Sequence, residues 1–219
     1  MGTITRTFAN NITTSGVFKP TAFNNASFDN ITSVPSGAVE GGNMVLLSTQ
    51  TASSSASISF TSGIDSTYKE YMFIFNNIHP ATDNVNFQFN GSTDGGSNYN
   101  VIKTSTAATA YHDESGVSSS VQFDTGRQLA QSTSYQNLNQ NIGNDSDQSF
   151  SGTLTIFNPN SSTYVKHYIS NINGYHSGDL SINWFISGYF NSTSSLNAVD
   201  FKFTSGNIDA GTISLFGIA

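Results

Sequence analysis

The sequence predicts an all-β fold: an antiparallel two-sheet sandwich, jelly-roll-like, preceded by an extended N-terminal arm. Three observations predict it. Apolar and polar side chains alternate in short segments such as Val85–Phe89 and Val199–Phe203, which lets one face enter a core while the other meets water. Asn, Ser, Thr, Gly and Asp recur between these segments, and these residues turn chains. Helical periodicity is nowhere sustained; only residues 64–70 suit a single helical turn.

The arm covers residues 1–41 and the sandwich residues 42–219. Within the arm, Thr21–Asn25 is echoed by Ala26–Asn30, a period of five in which Phe23 and Phe28 point the same way, as in narrow β-solenoid coils. Two such units cannot fold alone, so the segment is either a plain extended arm or an anchor ordered by neighbouring subunits, with Phe18, Phe23, Phe28 and Ile31 as its apolar contacts. Pro35 and the Gly41–Gly42 pair interrupt regular pairing and mark a hinge.

From Asn43 onward strand follows strand, over residues 44–50, 54–61, 69–79, 84–90, 98–104, 117–124, 135–142, 149–158, 164–173, 182–191, 197–204 and 211–218. Turn signals fall between them, at Ser62–Gly63, His79–Pro80, Gly95–Gly96, Asn144–Asp145, Asn158–Asn160, Gly178–Asp179 and Ser205–Asn207. Strands at this spacing favour a two-sheet sandwich. Alternate positions assign the core to Ile58, Phe60, Tyr71, Phe73, Phe75, Val85, Phe87, Phe89, Leu154, Ile156, Trp184, Ile186, Phe201, Phe203, Ile213 and Leu215. Asn86, Gln88, Asp200 and Lys202 take the opposite face, which is hydrated or packed on another subunit.

Composition narrows the function. The 219 residues suit one sandwich domain with a small appendage, and 17 Phe with 9 Tyr supply large buried area from few side chains. A formal charge of −7, with seven scattered basic residues, argues against nucleic acid, whose phosphates need clustered Lys and Arg. Without Cys there are no disulfides and no thiolate metal sites. The sequence also predicts no secretion signal, no membrane insertion and no myristoyl anchor, since Arg6 stands where that motif needs Ser or Thr.

No catalytic motif emerges, so the expectation is a non-enzymatic protein with no cofactor and no metal. The four histidines form no ligand-spaced pair, and the His112–Glu114 fragment reads as a polar loop in preference to a cation site. Carboxylates for glycoside hydrolysis would have to come from Asp113, Glu114, Asp145 and Asp147. The run Asn144–Asp147 offers oxygen ligands but lacks the spacing of a calcium loop, and a solvated turn is its expected role. Tyr99, Tyr111 and Tyr175, if displayed on loops, could stack on sugars and serve as glycan contacts.

Several segments carry a resemblance: Ser48–Phe60, Ile64–Tyr71, Asn77–Asp83, Tyr164–Tyr168 and the closing Ser205–Gly217 resemble virion structural proteins of marine tailed bacteriophages. The likeness runs over most of residues 44–219. It implies a structural protein of the virion, assembled in the host cytoplasm, that contacts other capsid or tail proteins and forms a homo-oligomer, by family analogy a trimer. The leading expectation is a tail-fibre or appendage module attached by its arm. A capsid decoration protein is the alternative, followed by a carbohydrate-binding host-adhesion module that contacts a host surface glycan. A glycan-depolymerising spike ranks last.

Overall fold

The computed structural model describes residues 44–219. The expectations for the first forty-one residues, including the roles of Phe18, Phe23, Phe28 and Ile31, lie outside the described residues.

Twelve strands follow in chain order: β1 (Met44–Thr51), β2 (Ile58–Phe60), β3 (Glu70–Pro80), β4 (Phe87–Ser92), β5 (Lys103–Asp113), β6 (Ser119–Phe123), β7 (Gln136–Asn137), β8 (Phe150–Phe157), β9 (Lys166–His176), β10 (Leu180–Phe190), β11 (Ala198–Phe203) and β12 (Ile208–Ile218). They build two antiparallel sheets, one of eight strands in the order β1-β12-β3-β8-β9-β10-β5-β6 and one of four in the order β2-β11-β4-β7. Setting aside the strands β5, β6, β9 and β10 leaves eight. Counted along the chain, these stand as first-eighth-third-sixth in one sheet and second-seventh-fourth-fifth in the other. That order is the double Greek key of a jelly roll, so the expected fold class is the observed one. The two remaining pairs, β5–β6 and β9–β10, extend the first sheet beyond β8 and carry the candidate site.

All sixteen residues assigned to the core from their alternation are buried. At its centre the Phe201 ring lies 5.0 to 6.2 Å from the rings of Phe60, Phe73, Phe75 and Phe87, mostly edge-on, the arrangement favoured by the quadrupole of an aromatic ring. Burying each such side chain stabilises the fold by roughly 2–3 kcal/mol. In β3 the simple period fails after Phe75, because the next buried residue is Ile78. Asn77 adopts φ 49° there and the register against β8 shifts, so a bulge keeps both Phe75 and Ile78 inside. Opposite it Gly211 sits at φ 108°, where an added β-carbon would collide with the Asn77 carbonyl.

Four expectations need correction. Residues 64–70 form bends and no helical turn; the Tyr71 hydroxyl instead accepts the Asp65 and Tyr68 amides, at 3.1 and 3.3 Å, and shapes the loop from below. The short 3-10 turn lies at Thr125–Arg127. The strands expected at 54–61 and 135–142 shrink to β2 and β7, while the one expected at 98–104 begins at Lys103 and runs on to Asp113. The stretch Thr104–Ala110 has only small or hydroxylated side chains, and its strand form comes from pairing with β10 along its whole length.

Asp200 is the fourth. It lies on the outward face of the four-stranded sheet as expected, but it is buried there instead of hydrated. Its carboxylate accepts hydrogen bonds from Ser59 Oγ at 2.5 Å and from the Tyr135 hydroxyl at 3.0 Å, and Lys202 Nζ stands 4.0 Å from the centre of the Tyr135 ring. Loop segments cover this face: the Asn90 side chain, opposite Asp200 on β4, donates to the backbone carbonyls of Tyr99 and Thr133.

Candidate functional site

The tips of the added hairpins and the loop before β8 meet at one end of the eight-stranded sheet. Pairing fixes the first part of the site: Tyr175 of β9 lies opposite Ser181 of β10, and Ser181 lies opposite His112 of β5. The three side chains therefore form a row on the outer face, with His112 and Tyr175 roughly 10 Å apart across two strand spacings. Backbone bonds fix the rest. The Glu114 amide donates to the Asp179 carbonyl at 3.0 Å, tying one hairpin tip to the other, and the Tyr175 amide donates to the Ser149 carbonyl at 3.0 Å, tying the loop to the sheet.

The result is an open groove of about 430 Å³, with His112, Glu114, Asp147, Asn173, Tyr175 and Ser181 along its walls. Its electrostatics are acidic. A hydrogen bond with Glu114, then desolvation, then the charges of Glu114, Asp179 and Asp147 push the Tyr175 hydroxyl up to about 12, so it remains a protonated donor. That hydroxyl also lies 3.4 Å from Asp179 Oδ1. Asp113 has a different task. It accepts the Val117 amide at 2.9 Å and Ser115 Oγ at 3.0 Å, which holds the β5–β6 turn, and hydrogen bonding from the Ser118 backbone first, then from Ser115 and Val117, draws its carboxyl below the usual range.

Of the three tyrosines considered for sugar stacking, Tyr175 alone lies in this groove. Tyr111 belongs to the inner side of β5 and packs half-buried against the core. Tyr99 turns its hydroxyl inward, buried beneath Gly96 and Thr61. Of the acidic residues weighed together, Asp113, Glu114 and Asp147 reach the groove, whereas Asp145 contributes its carbonyl to His79 Nε2 at 3.2 Å. Among the described residues no group of three or more His, Asp or Glu side chains is placed to hold a metal ion. Asn173, Ser181 and Asp179 were not anticipated. Asn173 shares a face of β9 with Tyr175, the β9–β10 turn carries Asp179, and the register of β10, which sequence does not state, brings Ser181 opposite Tyr175.

Chemically, the groove offers carboxylates that accept hydrogen bonds, amide and hydroxyl groups that do both, the His112 imidazole, and the phenol ring of Tyr175 with the buried Phe150 at its floor. This set suits a neutral, hydroxyl-rich ligand better than an anion. Comparison with known proteins adds no relative: no family model, no curated protein and no solved structure matches the chain.

Proposed function

We propose that this chain is a non-enzymatic structural protein of a tailed-phage virion, a fibre or appendage module that joins the particle through residues 1–41. The observation that carries the reading is the jelly-roll strand order over the same residues whose sequence resembles phage virion proteins. Jelly rolls recur in capsid and lectin domains, so the fold supports the assignment by analogy. In this role the module works as a homo-oligomer beside other virion proteins. Capsid decoration is the same chemistry at another address, with the sandwich bridging capsomers by many weak, symmetric contacts.

The test is incorporation. Particles assembled with a chain lacking residues 1–41 should omit the protein although residues 42–219 still fold; normal incorporation would remove the anchoring role from this account.

A specific observation favours host adhesion as a second reading. The groove at Tyr175 has the composition of a saccharide site, in which a ring face stacks on the sugar and Glu114, Asp147 and Asn173 bond its hydroxyls. On a glycan array the assembled protein should show saturable binding that Tyr175→Ala abolishes. An array without signal would reject this reading and leave the structural one intact.

A further inference from the structure

The outer face of the eight-stranded sheet is far more apolar than a solvated face requires. Pairing aligns Leu46 of β1 with Phe216 of β12 and Met72 of β3, and the same row reaches Ile169 of β9 by way of Thr155. One row along, Phe185 of β10 lies opposite Ala108, which lies opposite Phe123 of β6. Leu46 is 57% exposed, Ile169 54%, Phe185 47% and Phe123 79%, so these are side chains displayed to solvent and not merely grazed by it. On a sheet with one wet face, these alternate positions are normally polar. A shallow recess of about 490 Å³ lies beside Ile169, between His167 and Tyr189, and has room for a phenyl ring.

Charge and area identify the occupant. The chain carries a net charge of −7, which drives copies apart, yet Glu70 is the one carboxylate on the rows of the belt, whereas Asp209 and the acidic groove around Tyr175 lie beyond it at one end of the sheet. Two copies can therefore meet here without bringing carboxylates together. With strands about 4.8 Å apart and alternate residues about 6.8 Å apart, these two rows and the neighbouring one that runs from Met44 through Ile218 to Glu70 and Phe157 measure roughly 34 by 20 Å, or about 700 Å², with Thr155, Ser187, Asn171 and Thr153 set among the apolar side chains. That approaches the ~800 Å² per partner of a standard stable interface. Met44 and Val121 also fall on rows of this face, opposite Ile218 and Ala110, and the remaining exposed large apolar side chains among the described residues, Val45, Ile102, Val117 and Tyr164, lie off it or in turns. Among the described residues the belt thus has no second, complementary patch, and its natural complement there is itself.

We propose that two copies of this chain associate face to face through the outer surface of the eight-stranded sheet, about a twofold axis, with Phe185 and Ile169 at the centre of the contact. An isologous pair follows from a single self-complementary patch, in contrast to the threefold expectation from family analogy. This inference extends the oligomeric role proposed above but is tested without particles, so either can fail alone.

The experiment is light scattering coupled to gel filtration on the full chain, over a hundredfold concentration range, for the wild type, Ile169→Asp, Phe185→Asp and the off-face control Tyr164→Asp. Thermal melts and the near-ultraviolet signal of Trp184 check folding of each. The wild type and Tyr164→Asp should have the dimer mass, and both on-face variants should be monomers with native melts. A wild type that is monomeric throughout, or a dimer that both on-face variants leave intact, would overturn the proposal. So would cross-links placing the chain's own first 43 residues on Ile169 in a monomer. If the on-face variants misfold, Ile169→Ser and Phe185→Ser read the same equilibrium more gently: weakened dimers support the proposal and unchanged ones reject it.

Discussion

The ammonium of Lys103 lies 2.6 Å from Oδ1 of Asn90, with both side chains fully buried. Its other bond goes to the Val101 carbonyl at 2.9 Å, and the Phe190 ring lies 5.6 Å away. No carboxylate forms an ion pair with it among the described residues. Desolvation lowers its pKa to about 7 from the ordinary 10.5.

Stability should therefore rise with pH in a window set by this lysine. Between pH 7 and 10.5 the unfolded chain binds the proton and the folded chain does not, so alkalinity favours the fold. Below pH 7 the folded state carries the buried charge and the full cost applies. Urea unfolding at pH 7 and pH 9 should show the wild type gaining about 2 kcal/mol relative to Lys103→Met. Parallel pH dependence of the two proteins would mean that Lys103 is not desolvated as described.

Tyr135→Phe should cost about 1–2 kcal/mol, because it strips one hydrogen bond from the buried Asp200 carboxylate while keeping the ring beneath Lys202. Denaturant midpoints compare the two proteins directly. In the Asp200→Asn background the penalty should shrink, and an undiminished penalty would assign the effect to packing instead.

Phe201→Ala should cost roughly 3–5 kcal/mol, since the lost ring packs against Phe60, Phe73, Phe75 and Phe87 and the rigid aromatic cluster around it cannot close the cavity. Gly91→Ala fails for the opposite reason. Its new methyl group would overlap Leu196 and press on Phe190, at an expected cost of about 1–3 kcal/mol. Thermal denaturation of each variant gives the number, and a neutral Gly91→Ala would show that Leu196 can move aside.

Glu114→Gln should bring the Tyr175 hydroxyl down from about 12, because the hydrogen bond with Glu114 is the largest cause of its elevation. Ultraviolet difference titration, with Tyr175→Phe as the reference, isolates that one phenol. An unmoved titration would place Glu114 away from Tyr175 and dissolve the acidic wall of the groove.

Alternation made the core legible. Phe75, Phe87, Phe89, Phe201 and Phe203 each announce their inward face by a polar residue beside them, Phe73 between Met72 and Ile74 follows from its spacing to Tyr71 and Phe75, and packing left them there. The features that escaped all depend on distant partners. Asp200 looks like a solvent residue until Ser59 and Tyr135 are brought over it. Lys103 and Lys166 sit at strand positions opposite Phe190, where only the register reveals that they point inward. The groove was half visible: His112, Glu114, Asp147 and Tyr175 stood out singly, but their convergence is made by backbone ties such as Glu114 to Asp179. The strand order itself is a matter of long-range pairing, which local pattern does not encode.

The central claim, that this jelly roll is a building block of a virion, is tested most directly by its copy number relative to the major capsid protein, measured by quantitative mass spectrometry of purified particles. A fibre or appendage module should be present in a small whole-number count that matches tail symmetry, and a count matching capsid sites would move the protein to the decorated shell. Its absence from particles would contradict the structural reading and make the Tyr175 groove the first place to look for what the protein does.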